Sequence, residues 1–156
     1  MKVELIDKMG TDLSVVNAAR VSYAKEKEEF EESDERLIRY LAEHKHWSPF
    51  AHTFLSFRIK APVFVARQLV KHQVGLVWNE ESRRYITHDP EIYNIRKWRE
   101  KPDSSKQGSG EQIIISTELN LEVNEHLQQG LSLYNRLLLE NVAPEQARAV
   151  LPQSMY

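Results

Sequence analysis

The 156 residues contain no cysteine. Within them that absence excludes disulfides, thiolate–zinc centres, iron–sulfur clusters and every mechanism built on a cysteine nucleophile. Covalent chemistry here has to use another side chain or a cofactor. Glycine is scarce too, at five residues, and the GSG at Gly108 to Gly110 lacks the lysine of a phosphate-binding loop, so it reads as a flexible turn. No apolar run approaches the roughly 20 residues of a membrane helix. The opening MKVELIDKMG has no apolar secretory core, so a cytoplasmic protein is the expectation. Nor does one sign of charge prevail: 21 basic and 23 acidic residues leave a net charge of −2. Without a basic field, a small anionic ligand is expected rather than a nucleic acid.

What the chain does contain is a dense polar arm, Lys71 to Tyr85, reading KHQVGLVWNEESRRY. It holds one histidine, two amides, two carboxylates, a serine and three cations. So many hydrogen-bonding groups are costly to bury and suit a loop that grips a polar, anionic ligand. The apolar segment before it, APVFVARQLV, predicts a helix that holds the arm in place.

The length suits one domain over residues 1–156, of α+β class. Lys2 to Ile6 alternates weakly as an opening strand. Thr11 or Asp12 caps a helix running towards Val21, and Ser33 caps a second containing Leu37, Ile38 and Leu41. The charge run between them reads as solvated. Pro49 interrupts any helix in HWSPFAH, and Thr53 to Lys60 predicts a half-buried strand with Leu55, Phe57 and Ile59 on one face. Pro62 opens the next helix, to about Lys71. A long irregular stretch follows Tyr85, including the turn-rich Asp103 to Gly110. A long amphipathic helix is expected from about Gln112 to Asn141, weakened by Gly130, and Pro144 starts a last short helix.

Glu80, Ser82 and Arg84 alternate, so in an extended segment they share one face; Arg offers a fork of donors to phosphate, Ser a hydroxyl, Glu an acceptor. The same spacing also fits an edge strand with a solvated charged face. Gln68, Lys71, His72 and Gln73 gather at a helix end, which suits an amide and an imidazole facing a flat ring, or simply a polar C-terminus. Arg148 is either half-buried beside a carboxylate or reaching for an anion. His44, His46 and His52 lack a nearby carboxylate pair and read as surface or cofactor-contacting groups rather than metal ligands. Trp47, Trp78 and Trp98 read as packing residues.

In order along the chain, DLSVVNAARVSY, HWSPFAH, FRIKAPVFVARQ, NEESRRY and PEQARAVLP resemble the flavin-dependent thymidylate synthases, which make dTMP from dUMP without a catalytic cysteine. The central family motif is Arg-His-Arg, then Ser within Asn-Glu-x-Ser-x-Arg-Tyr. Here it becomes Lys71-His72-Gln73, with Asn79, Glu80, Ser82, Arg84 and Tyr85 in place and one extra residue before Ser82. The resemblance implies an antiparallel sheet flanked by helices, with a long helix in the C-terminal half. It implies dUMP contacts from Gln68, Lys71, Glu80, Ser82, Arg84 and Arg148, with Glu81 and Arg83 contributing main chain. FAD contacts would come from Ser48, Lys71, His72, Gln73 and Glu80. NADPH and methylenetetrahydrofolate are the implied co-substrates, and a homotetramer with shared active sites the implied assembly. Lys71 and Gln73 replace arginines, and Ala51 stands where many members have glutamate. The family's catalytic arginine would lie beyond Tyr156, in a C-terminal segment these residues lack. A nucleotide-binding relative without turnover and a helical assembly module are the competing expectations.

Overall fold

A computed structural model describes residues 1–86, 88–104 and 108–156. These fall into two compact units, Met1–Lys60 and Ala61–Tyr156. Part of the turn-rich stretch expected from Asp103 to Gly110, residues 105–107, lies outside the described residues.

In the first unit, β1 (Lys2–Met9) runs antiparallel to β2 (Phe54–Lys60), with Val3 opposite Ile59, Leu5 opposite Phe57, and a register shift between Leu5 and Asp7. Gly10 turns the chain out of β1 at φ +82, where an added Cβ would lie 2.9 Å from Thr53 Cγ2. Glycine alone suits both demands. Thr11 then caps α1 (Asp12–Arg20), its N–H donating to Ser14 Oγ at 3.0 Å. For α2 (Glu32–Glu43) the cap is Glu31 rather than the expected Ser33, because the Asp34 carboxylate takes the Glu31 N–H at 3.0 Å and starts the helix sooner. Val15, Val16 and Leu41 form the buried apolar centre. Pro49 sits in the first turn of a short 3-10 helix, Ser48–His52, rather than merely breaking a helix. A missing N–H costs nothing in a first turn.

The apolar alternation of β2 is as expected, but its burial is not. Leu55, Phe57 and Ile59 are 61%, 51% and 38% exposed, and Val3 and Leu5 opposite them are exposed as well. Among the described residues of the first unit, no element covers this apolar sheet face.

In the second unit, Pro62 caps α3 (Val63–Leu69) rather than entering it, because its ψ of 153 is extended. The first free N–H groups of α3 are satisfied by the chain's last residues: Val63 donates to Met155 O at 2.8 Å and Phe64 to Gln153 O at 3.0 Å. In the stretch expected to be irregular lies β3 (Trp98–Arg99), which pairs antiparallel with β4 (Gln112–Ile113), the residues expected to open the long helix. The long helix therefore starts later than expected: α4 spans Thr117–Leu139, and the Ser116 hydroxyl caps it by accepting from Leu119 N at 3.1 Å. The Trp98 indole ties the hairpin to α4 through Asn120 Oδ1, 3.0 Å away. After α5 (Pro144–Ala147) comes a 3-10 turn, Arg148–Val150, packed on α4. Gly130 makes room for it, since a Cβ there would lie 3.2 Å from Val150 O.

Candidate functional site

The polar arm leaves the end of α3. Gln68 is exposed on the last turn, and Lys71, His72 and Gln73 follow in a tightening turn in which His72 N–H donates to Leu69 O at 3.0 Å. The Trp78 indole closes the loop by donating to His72 O at 3.0 Å. That bond uses Trp78 as a clasp and leaves Val74 and Val77 exposed at the loop tip.

Beyond Asn79 the alternation that would align Glu80, Ser82 and Arg84 gives way to a turn. Ser82 O accepts from Tyr85 N at 2.9 Å and Ile86 N at 3.3 Å, which bends the main chain out of the extended form. Sequence spacing treats a strand and a turn alike when the residues are polar, so the bend was not legible. Glu80 and Glu81 are exposed, Ser82 is half-buried and Arg84 is exposed, its guanidinium carbon 5.5 Å from the Tyr85 ring centroid. Arg83 goes the other way. It is buried, and its guanidinium donates to the His88 carbonyl.

Arg148 is exposed on the turn after α5, so of its two expected settings the half-buried one is not seen. Among the described residues, the side chains of Gln68, Lys71, His72, Gln73, Glu80, Glu81 and Arg148 make no hydrogen bond or ion pair. Their donors and acceptors stay available to a ligand. An ammonium, an imidazole and an amide together suit a group that carries phosphates and a planar ring, so the donor set fits a flavin nucleotide.

Ser48 belongs to the first unit, where it is exposed beside a shallow groove of about 330 Å³ lined also by Ala18, Ala19, Ser22, Leu41 and His46. Trp47 on its rim, the residue before the 3-10 turn, is 73% exposed rather than packed. His44 is engaged locally: its ring stacks on Tyr40 at 4.0 Å, and Nδ1 lies 2.9 Å from Tyr40 O.

Residues 4–156 match the family described as thymidylate synthase complementing protein. The chain is 42% identical over 158 residues to a flavin-dependent thymidylate synthase of Kosmotoga olearia, a match spanning 99% of this chain and 67% of that protein. With the corresponding protein of Thermus thermophilus the identity is 40%, over 99% and 56%. Among solved structures, the UMP/dUMP methylase PolB of Streptomyces cacaoi bound with 5-Br dUMP is 38% identical at a TM-score of 0.77, covering 99% of this chain and 69% of that one. With 5-Br UMP bound, PolB gives 34% identity and a TM-score of 0.76. The chain belongs to the flavin-dependent thymidylate synthase family, and its α+β architecture is that family's fold. It spans 56% to 67% of the length of the two relatives described.

Proposed function

We propose that this chain acts as a flavin-dependent thymidylate synthase, converting dUMP to dTMP by reductive methylation. What supports this most is the arm from Lys71 to Arg84, which presents its ammonium, imidazole, amides and carboxylates without internal partners. A relative of the same fold holds 5-Br dUMP.

In this proposal Arg84 and Arg148 clamp the nucleotide phosphate, with the Ser82 hydroxyl as a third donor. Glu80 accepts from a sugar hydroxyl or the ring N–H, the Gln68 amide pairs with the uracil edge, and the main chain at Glu81 and Arg83 adds contacts. Lys71 lies between nucleotide and flavin. His72, Gln73 and Glu80 line the flavin, and Ser48 is a further flavin contact. Lys71 keeps the charge of an arginine but loses its planar fork, and Gln73 loses the charge altogether, so the hold on FAD phosphates leans on fewer cations. With no cysteine here to add to the pyrimidine, these residues orient and polarise the uracil ring. FAD, when bound, supplies the hydride chemistry that links NADPH to the nucleotide, with methylenetetrahydrofolate as carbon donor.

A homotetramer with shared active sites is part of the proposal. Its support is the uncovered sheet face of Val3, Leu5, Leu55, Phe57 and Ile59, a surface that water penalises until a second copy covers it. A cytoplasmic setting is proposed too; no helix among the described residues is long and apolar enough to cross a membrane.

The test is an absorbance spectrum of the purified chain after incubation with FAD and gel filtration, followed by titration with dUMP and with UMP. Retained flavin whose spectrum shifts on adding dUMP is expected. Binding of dUMP without flavin would favour a nucleotide-binding relative without turnover, and binding of neither would contradict both.

A further inference from the structure

We infer that the Arg83 side chain is a positioning group for the nucleotide site, one that fixes the turn presenting Ser82 and Arg84 without itself touching the ligand. This rests on the nucleotide reading of that turn given above. A guanidinium is always charged and rarely enters a protein interior without an anion. Arg83 is 7% exposed, yet no carboxylate pairs with it among the described residues. Its Nη1 donates instead to the main-chain carbonyl of His88. A hydrogen bond from a charged donor is stronger than a neutral one and helps to offset the desolvation. Two adjacent arginines therefore take opposite parts, Arg84 outward beside Tyr85 and Arg83 inward.

The carbonyl that receives Arg83 is itself held. The next residue, Asp89, accepts through Oδ1 from Asn135 Nδ2 on α4, at 3.0 Å, and Pro90 after it is buried. Asn135 follows Tyr134, which is 2% exposed, so this point of α4 borders the unit's core. The Ser82–Tyr85 turn is thereby fastened, through Arg83, His88 and Asp89, to a 23-residue helix. Its own hydrogen bonds are local and do not fix its direction; a turn held by such bonds alone opens readily. Setting Ser82 and Arg84 in place beforehand spares the ligand the cost of ordering them.

The experiment compares the whole chain with Arg83→Met, Arg83→Lys, Asn135→Ala and the Arg83→Met/Asn135→Ala pair. Two quantities are read: amide hydrogen exchange at Tyr85 and Ile86 without ligand, and affinity for dUMP. Arg83→Met should speed exchange at those amides and weaken dUMP binding, each by about tenfold, as for one lost charge-assisted bond. Arg83→Lys should recover part of both. Asn135→Ala should act in the same direction but less, and it decides the matter should Arg83→Met not fold. The pair should be no weaker than Arg83→Met alone, because both changes break one fastening. Unchanged exchange in Arg83→Met, faster exchange with unchanged dUMP affinity, or additive losses in the pair would each overturn the inference. Failure of the underlying reading is distinct: the unaltered chain would then not bind dUMP at all, and Arg83 would have no nucleotide to position whatever the exchange rates.

Discussion

The Lys27 ammonium lies 2.7 Å from Oδ2 of Asp34, a carboxylate with no exposed surface. The same side chain takes Arg20 Nη2 at 3.0 Å through Oδ1 and the Glu31 N–H at 3.0 Å through Oδ2. One anion thus caps α2, neutralises a cation of α1 and holds the connecting loop. Asn17 fastens that loop a second time, its amide exchanging hydrogen bonds of 2.9 Å with the Lys27 main chain in both directions.

Replacing Asp34 by Asn keeps the shape but leaves Arg20 without its carboxylate and Lys27 with the exposed Glu31 alone. The thermal midpoint should fall by roughly 5 °C or more. Lys27→Met should cost less, since Arg20 still serves the carboxylate. Calorimetry of the two variants checks the order, and equal midpoints would contradict it.

The same cluster sets a pH dependence. The Lys27 ammonium, above all, holds the Asp34 carboxyl below its ordinary range, with the Glu31 N–H and Arg20 assisting against burial. Because the folded value is the lower one, the stabilisation is whole above the unfolded carboxylate value of about 4 and fades as pH falls through the folded value. Lys27 is shifted upward, first by Asp34 and then by Glu31, so its share is whole below the unfolded lysine value of about 10.4 and fades as pH rises past the folded one. The cluster's contribution should therefore be constant between these limits, and in urea midpoints read across pH Asp34→Asn should blunt the acid-side decline.

Gly130 gives a prediction opposite to the usual helix rule. In an exposed helix, replacing glycine by a better helix former gains about 1 kcal/mol. Here a side chain meets Val150 O and Pro152 Cδ, at 3.2 and 3.4 Å from the first added carbon. Gly130→Val should destabilise by about 1–3 kcal/mol and displace the turn carrying Arg148. Chemical denaturation reads the first effect, and dUMP affinity the second.

Ser116→Ala removes the hydroxyl that accepts from Leu119 N. A loss of about 1 kcal/mol is expected, with Ser116→Asp close to neutral. Denaturant midpoints of the two variants decide this.

The elements with local causes were legible. Thr11 before a periodic apolar stripe marked α1, and alternation marked β2. The cap of α2 was misplaced because Asp34 acts backwards on Glu31, a choice Ser33 competes for on sequence alone. Gln112 and Ile113 continue the helical pattern of α4, yet they pair with Trp98 and Arg99 across an intervening loop, a non-local partner that periodicity does not register. In the candidate site, the clustering of Lys71, His72, Glu80 and Arg84 in one arm was visible from residue types. The inward turn of Arg83 was not, because its partner is a main-chain carbonyl, which every residue has.

The uncovered face of β1 and β2 makes a further expectation. Phe57→Asp places a charge among Val3, Leu5 and Ile59, which should weaken self-association with little effect on the separate chain. Sedimentation at several concentrations measures it, and an unchanged distribution of species would remove this face from the assembly.

Whether the polar arm grips a uridine nucleotide is tested most directly by calorimetric titration of dUMP into the FAD-incubated chain and its Arg84→Ala variant. The predicted result is saturable binding to the unaltered chain, weakened in the variant by about 1.5–3 kcal/mol. Equal affinity in both would contradict the clamp.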